Sequence, residues 1–265
     1  MVLDLRTGAR ALERFLLPNA CVGCDRVVEP HVPDALLCGV CRTRLRPLTG
    51  GCPKCRQPLP PVGPCRFCAE WTELERAASA VWHEPPARQI VHGLKYDGLR
   101  PLAAECASAI ARTCAMPVGA VLVPIPLGGR RLRERGYNQA AEIARALSAL
   151  WLAPVAEGVL RRTRETGTQT TLTPEQRTAN VRGAFVATAP AYLAGRGGGA
   201  GRSGEGWGGT AAILVDDVLT TAATLRAAAR ALQAAGWSSV GAVTFARAMP
   251  YELRLEVRPV SAHSP

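Results

Sequence analysis

The sequence has few aromatic side chains and lacks long apolar runs. Phe, Trp and Tyr make up 5% of its 265 residues, although 48% of the residues are hydrophobic. Sparse aromatics count against a surface that binds nucleic acid mainly by stacking bases, and leave Tyr96, Tyr137 and Trp207 as candidate platforms. No stretch reaches the about 18 uninterrupted apolar residues that a membrane helix needs. A chain of this length is expected to form one or two globular domains.

The N-terminus lacks the continuous apolar region of a signal peptide, because residues 1–17 alternate charged and apolar side chains. The apolar side chains that share one face of a short helix, stopped at Pro18, are Leu5, Leu12, Phe15 and Leu16. This helix could lie on a membrane surface, but packing against its own domain is the favoured interpretation. The sequence therefore predicts a cytoplasmic protein with an N-terminal helix within residues 1–19.

Acidic residues are in deficit: 21 Asp and Glu stand against 32 Lys and Arg, for a formal charge of +11. The excess is greatest in residues 81–190, which hold 14 basic and 8 acidic residues. A positive field favours an anionic partner such as phosphate or nucleic acid. A solvated surface without a partner is the alternative.

Eight of the ten cysteines form four Cys-x-x-Cys pairs, which are Cys21 and Cys24, Cys38 and Cys41, Cys52 and Cys55, and Cys65 and Cys68. Two such turns complete a tetrahedral four-sulfur zinc site, and metal binding would supply the folding energy of so small a segment. A disulfide framework fits poorly without an export signal, and redox chemistry explains one pair but not four. We predict a double zinc ribbon over residues 20–70, with each of two zinc ions bound by neighbouring pairs in sequence rather than in a cross-braced arrangement.

Closed four-cysteine sites leave no open coordination position, so these zinc ions are expected to be structural. Loss of zinc is then expected to unfold residues 20–70 without abolishing the domain that follows. The basic residues between the pairs could contact a nucleic-acid backbone or form a charged solvated turn; they are Arg42, Arg44, Arg46, Lys54 and Arg56. Cys106 and Cys114, on a predicted helix, are expected to be ordinary buried residues.

After Trp71 the pattern changes to alternating strands and helices. Strands are predicted over 77–83, 120–125, 159–161, 213–217 and 239–245, and helices over 103–114, 138–150 and 224–235. This alternation predicts a doubly wound, mostly parallel α/β sheet in a domain over residues 77–250, followed by a tail over 251–265. The glycine-rich stretch 195–209 is predicted to be a flexible loop.

The strand over 213–217 ends in Asp216 and Asp217 and leads into a threonine-rich turn and a helix. Adjacent carboxylates repel each other unless something satisfies them, and a ribose diol and Mg²⁺ would do so. The turn and the helix N-terminus would bind a phosphate dianion through residues Thr220, Thr221, Ala222, Ala223 and Thr224. In the alternative interpretation Asp217 merely caps the helix and Asp216 is exposed.

At these residues the chain resembles the phosphoribosyltransferase family, whose signature is an apolar strand, Asp-Asp, two residues and Thr-Thr-Gly-x-Thr. Ala222 stands where the family usually has glycine. If that position needs a positive φ, alanine costs about 1 kcal/mol and narrows the phosphate pocket. The resemblance implies a type I phosphoribosyltransferase-like fold, with Mg²⁺ and phosphoribosyl pyrophosphate (PRPP) as ligands and Asp216 and Asp217 in the catalytic role.

Nearly the whole chain resembles the ComF branch of that family, from the N-terminal helix and the double zinc ribbon onward. The shared segments are Leu94-Lys95-Tyr96, Val123-Pro124-Ile125-Pro126, Arg135-Gly136-Tyr137-Asn138-Gln139, and later Gln169, Leu172, Arg177, Asn180 and Phe185. ComF proteins are associated with natural competence and the handling of incoming single-stranded DNA. The resemblance therefore implies DNA and competence-machinery proteins as partners.

The resemblance also assigns roles in the middle of the chain. The arginines after Pro126, which are Arg130, Arg131, Arg133 and Arg135, would face the pyrophosphate. Residues 161–182 resemble the mobile loop that closes over the active site, with Gln169, Arg177 and Asn180 as its contact candidates. Lys95 could reach ligand or DNA, or could simply be exposed.

Three functions stay open on sequence alone. The first is a phosphoribosyltransferase, for which the sequence reveals neither a base pocket nor a general base, since His83 and His92 are lone histidines. The second is a catalytically inactive scaffold that binds DNA or a partner through zinc ribbons and basic loops. The third is nucleobase salvage, which the zinc ribbons do not support.

Overall fold

The computed structural model describes residues 20–28, 36–60, 62–115, 119–164, 181, 183–190 and 211–249. The expectations for the N-terminal helix, the 195–209 loop and the C-terminal tail lie outside these residues, as do those for Gln169, Arg177, Asn180 and Trp207. Within the described part of the chain, no helix is long and apolar enough to cross a membrane.

The described residues form six strands and six helices. The strands are β1 (Ala77–Trp82), β2 (Val121–Pro124), β3 (Leu160–Arg162), β4 (Phe185–Ala187), β5 (Ala211–Leu219) and β6 (Ser239–Arg247). The helices are α1 (Gly39–Arg44), α2 (Ala87–Tyr96), α3 (Leu102–Thr113), α4 (Gly129–Arg135), α5 (Gln139–Trp151) and α6 (Ala223–Ala234).

Four parallel strands form the central sheet in the order β1-β6-β5-β2. The apolar run of β5 is buried on both faces, as is typical of parallel strands. Because the strands are parallel, the segments that follow β1, β2 and β5 meet at one edge of the sheet, where open α/β sheets bind ligands. A separate two-stranded antiparallel ribbon pairs β3 with β4.

Successive residues of β5 point to opposite faces of the sheet and enter two cores. Ile213 and Val215 pack with helices α2, α3 and α5, whereas Ala212 and Leu214 pack with helix α6. Helices therefore cover both faces, which confirms the predicted doubly wound α/β fold. Cys106 and Cys114 are buried as predicted.

Each cysteine-rich half closes one of these cores. Cys21 and Cys41 belong to the core of α2 and α3. A Cβ at Gly23 would lie 2.8 Å from the Cβ of Pro86, so this half lies directly against the start of α2. The second half packs instead with α6, where the fully buried Arg247 donates from Nη1 to the backbone oxygen of Cys55. The cysteine segment is thus continuous with the α/β core.

Four of the five basic residues among the cysteine pairs bind the protein itself. The Nε of Arg42 lies 3.1 Å from both carboxylate oxygens of Glu105 on α3. The three other contacts are Arg46 with Glu84, Arg56 Nη1 with the oxygen of Thr113, and Lys54 Nζ with the oxygen of Trp71. These contacts fasten the cysteine segment to the rest of the fold, although Arg46 itself stays exposed.

Three helices were not predicted from the sequence: α1 in the cysteine segment, and α2 and α4 beside the cavity. Helix α2 contains Gly93, where a Cβ would lie 2.9 Å from the Cδ1 of Leu102, so glycine permits the close packing of α2 on the next segment. Helix α4 replaces the expected arginine loop and ends at Gly136, whose φ is +74°. Both helices border the cavity described next.

Candidate functional site

A cavity of about 650 Å³ opens at the carboxyl edge of the sheet. One wall is the turn between β5 and α6, a second is the face of α2, and a third is α4. Of the residues predicted to form the site, the cavity is lined by Asp216, Asp217, Thr220, Ala222, Ala223, Thr224, Arg131 and Arg135, together with Arg130. Thr221 and Arg133 are not among the lining residues.

The turn after β5 contains a strained residue. Ala222 has φ +63° and ψ 2° and precedes the first residue of α6. The backbone at this position is therefore left-handed. In this conformation alanine costs about 1 kcal/mol of stability relative to glycine, as expected from the sequence for a positive φ. The first N–H groups of a helix have no partner within it, so the start of α6 offers donors to the cavity.

Asp216 and Asp217 are held in place by backbone donors. The N–H of Asp217 donates to Oδ1 of Asp216 and the N–H of Val218 donates to Oδ1 of Asp217, each at 2.9 Å. Asp217 is 4% exposed, and the residue at the N-cap of α6 is Ala222. The alternative in which Asp217 caps the helix therefore does not hold.

Lys95 pairs with the acidic residues. Its Nζ lies 2.7 Å from Oδ2 of Asp217, and both side chains are largely buried. Burial would lower the pKa of Lys95, but the charges of Asp217 and Asp216 outweigh it and raise that pKa. The sequence left the role of Lys95 open, and the structure places it in the cavity wall, against Asp217.

The two carboxyl groups differ in their protonation. Burial, reinforced by the negative charge of Asp217, raises the pKa of Asp216 to about 8. Burial acts in the same direction on Asp217, but Lys95 outweighs it and lowers the pKa of that carboxyl group. The raised pKa of Asp216 favours its protonated form, and the lowered pKa of Asp217 favours a carboxylate whose charge Lys95 balances.

The segment Arg135-Gly136-Tyr137-Asn138-Gln139 contacts both the end of α2 and the residue that follows β2. The hydroxyl of Tyr137 donates to the oxygen of Leu94 at 2.5 Å. Asn138 caps α5 through the N–H of Ala140 and donates from Nδ2 to the oxygen of Ile125 at 2.9 Å. The guanidinium of Arg135 lies 5.3 Å from the ring centre of Tyr96. These contacts hold Lys95, between Leu94 and Tyr96, in reach of Asp217.

Sequence reasoning missed the wall that α2 supplies. His83, Arg88, His92 and Tyr96 line the cavity beside Lys95. Positions 88, 92 and 96 are four residues apart and share one helix face, a spacing that could have identified them had α2 been predicted. Both histidines regarded as isolated therefore lie in the cavity wall.

Eight cysteines form two groups, and within each group all Sγ atoms lie within 4.8 Å of one another. The first group is Cys21, Cys24, Cys38 and Cys41, and the second is Cys52, Cys55, Cys65 and Cys68. Sγ atoms from opposite pairs lie 3.5 to 3.8 Å apart. A disulfide requires about 2.05 Å, whereas a tetrahedron with Zn–S bonds of about 2.3 Å has edges of about 3.8 Å. The donors thus fit a tetrahedral metal ion, and the predicted pairing of sequence neighbours is confirmed.

The acidic pair does not fit a resident Mg²⁺ in the same way. Mg²⁺ binds carboxylate oxygens at 2.0–2.1 Å in a nearly ideal octahedron. At Asp217 the ammonium of Lys95 already lies against Oδ2. A second cation at this oxygen would face that positive charge.

Comparison with known proteins extends the structural assignment. Residues 132–260 match the family model of the phosphoribosyl transferase domain. The chain is 29% identical over 217 residues to the DNA utilization protein YhgH of Salmonella typhi, covering 77% of this chain and 87% of that protein. It is 28% identical over 227 residues to the competence protein ComFC of Bacillus subtilis, covering 81% of this chain and 85% of that protein. With its parallel sheet and two four-cysteine groups, the chain is similar to ComF-like proteins, and its residues 132–260 match a phosphoribosyl transferase domain.

Proposed function

We propose that this chain binds PRPP, or a related phosphoribosyl ligand, in the cavity at the carboxyl edge of the sheet. The observation that carries the proposal is that the acidic pair and the start of α6 share one cavity, with arginines on the facing wall. Asp216 and Asp217 take the ribose hydroxyls. The backbone of residues 220–224 takes the 5′-phosphate at the helix N-terminus.

The pyrophosphate would lie towards α4. Arg130, Arg131 and Arg135 line that side of the cavity, and guanidinium groups bind phosphate oxygens through paired hydrogen bonds. Mg²⁺ commonly reaches such sites on substrate phosphates, so the ligand would arrive as its magnesium complex. A volume of about 650 Å³ accommodates a sugar with phosphates at both ends and leaves space along α2.

That remaining space is where an acceptor would bind in a transferase. His83, Arg88 and His92 line it, and His92 contacts Asp97 through Nδ1 and Oδ2 at 3.3 Å. Turnover with a free nucleobase would assign the chain to salvage as a glycosyltransferase. Ligand binding without turnover would assign it a sensing or docking role.

We further propose that the chain acts in the cytoplasm in DNA uptake and the handling of single-stranded DNA. The names of the ComFC and YhgH relatives support this role. Because most of the basic residues among the cysteine pairs bind the protein itself, we assign the DNA contact to α4, where Arg133 is exposed and lies outside the cavity lining. The cysteine groups would bind two zinc ions as structural sites.

Calorimetric titration with PRPP and Mg²⁺ tests the ligand. The natural protein should bind, and the double variant Asp216→Asn, Asp217→Asn should lose affinity by on the order of a hundredfold, since it loses charge-assisted hydrogen bonds. Asp97→Asn, which removes an exposed carboxylate at the end of α2, serves as the control and should bind normally. Absence of binding by folded natural protein would show that Ala222 marks a lost phosphate site and would favour the scaffold function.

The DNA contact has its own test. Affinity for single-stranded DNA should fall steeply with salt, with a logarithmic slope of about 0.7 for each phosphate contacted. Replacing Arg133 by alanine should reduce that slope without changing the affinity for PRPP. A response independent of salt would remove the electrostatic basis for DNA binding.

A further inference from the structure

Lys95 is an unusual choice of residue in this chain. Of the 32 basic residues only Lys54 and Lys95 are lysines. An arginine facing a carboxylate tends to bind both of its oxygens, whereas an ammonium is a compact point charge. At Asp217 the ammonium lies 2.7 Å from Oδ2, while Oδ1 accepts the N–H of Val218. The lysine thus supplies charge without enclosing the carboxylate.

The ion pair leaves hydrogen-bonding capacity unused. Oδ2 of Asp217 is buried and has no hydrogen-bond partner of acceptable geometry within the described residues. A buried carboxylate oxygen that lacks a donor is unfavourable, and a hydroxyl group entering the cavity would supply one. The charge of Asp217 is therefore satisfied, but its capacity to accept hydrogen bonds is not.

A divalent cation would meet a different environment. An ion bound at 2.0–2.1 Å from Oδ2 would lie within about 5 Å of the Lys95 ammonium, because Lys95 contacts the same oxygen. Arg135, which lines the same cavity, adds a second positive charge. A free cation would have to displace Lys95, whereas an uncharged hydroxyl would not.

We propose that Lys95 is the resident counter-ion of the acidic pair, reserving it for the uncharged vicinal hydroxyls of a ribose and excluding free divalent cations. The ribose half of this assignment rests on the proposed function, but the exclusion of cations does not. Mg²⁺ then enters only on the pyrophosphate of the ligand. Lys95 thus makes the two carboxyl groups select hydroxyl groups over divalent cations.

The decisive experiment titrates Mn²⁺ alone into the zinc-loaded full chain and follows bound Mn²⁺ by electron paramagnetic resonance. Natural protein and Asp217→Asn should bind equally weakly. Lys95→Met should gain affinity by on the order of tenfold or more through the loss of a nearby like charge. The gain should vanish in the double variant Lys95→Met, Asp217→Asn. Arg112→Met, which removes a positive charge from α3 outside the cavity, should behave as natural protein.

The proposal is overturned if natural protein binds Mn²⁺ at a site that Asp217→Asn abolishes, or if folded Lys95→Met gains nothing. The comparison of natural protein with Asp217→Asn leaves Lys95 unchanged. The proposal can therefore be refuted even if the Lys95→Met variant folds poorly. Lys95→Arg retains the charge and should exclude Mn²⁺ as lysine does.

Ribose 5-phosphate separates this proposal from the proposed function. In buffer without Mg²⁺ the natural protein should bind it, and 2-deoxyribose 5-phosphate at least about tenfold more weakly, because one hydroxyl is missing. Failure of both sugars would overturn the ribose half together with the proposed function. Binding of Mn²⁺ at the pair would overturn the role of Lys95 whatever the sugar does.

Discussion

Arg226 on α6 and Glu73 beyond the second cysteine group form a two-point ion pair, with Nε donating to Oε2 at 2.9 Å and Nη2 to Oε1 at 3.2 Å. Arg230 binds the same carboxylate. Helix α6 starts within residues 220–224, which are proposed to bind the 5′-phosphate and are called the phosphate turn below. This ion pair therefore links the segment that follows the cysteines to the candidate ligand site.

Glu73→Gln should destabilise the protein measurably. Glu73 is 8% exposed, and its loss leaves two arginines without their shared partner. We expect the free energy of unfolding in urea to fall by about 2 kcal/mol. Glu157→Gln, which breaks the exposed pair with Arg145, is the matched control and should cost no more than about 0.5 kcal/mol. Equal effects of the two changes would contradict a structural role for Glu73.

Removal of zinc should destabilise the α/β domain as well as residues 20–70. The sequence favoured independent unfolding of the cysteine segment, but each cysteine group belongs to a core shared with the helices. Hydrogen exchange after chelation should therefore show loss of protection in α3 and α6 together with the cysteine turns. Full protection of α3 and α6 in the chelated protein would instead support the independent domain.

Ala222→Gly should stabilise the protein by up to about 1 kcal/mol, because glycine adopts a φ of +63° without strain. It should also increase affinity for ribose 5-phosphate by relieving the phosphate turn. Leu152→Gly offers the matched control, since Leu152 has φ +51°, is 92% exposed and does not line the cavity. It should raise the thermal midpoint without changing ligand affinity, and an equal affinity gain in both variants would refute a local effect.

Asp216 should make stability fall as pH rises from about 4 to 8. Burial and the charge of Asp217 raise its pKa from 3.8 to about 8, so the folded protein retains a proton that the unfolded chain has released. Stability is therefore lost with rising pH in this window, by at most about 1.4 kcal/mol per unit. Asp217, whose pKa is lowered, stays ionised throughout it.

Asp216→Asn lacks this titration, so its free energy of unfolding relative to that of the natural protein should rise between pH 5 and pH 8 by up to about 3.5 kcal/mol. Urea unfolding at each pH measures the difference. A difference that stays constant with pH would show that Asp216 is ionised throughout and would contradict the raised pKa.

The acidic pair and the phosphate turn could be predicted because they are contiguous in sequence, on a buried strand that leads into a helix. The cysteine groups were predictable for the same reason, since each ligand pair is local. Lys95 was not, because its contact with Asp217 spans 122 residues and depends on the docking of α2. That docking needs Gly93, whose close packing has no signature in hydrophobic spacing.

The basic residues among the cysteines illustrate the same limit. Local charge is visible in the sequence, but the partners of Arg42 and Arg56 are Glu105 and Thr113 on α3. A positive residue in a turn looks identical whether it faces solvent or a distant carboxylate. Only the tertiary arrangement distinguishes the two cases.

The sharing of both cores with the cysteine segment limits how this chain can be shortened. A recombinant fragment that began at Ala77 would expose two apolar faces, one beneath α2 and α3 and one beneath α6, with a combined tendency to aggregate. A gene that lost the cysteine-coding portion would therefore be expected to encode an unstable transferase-type domain.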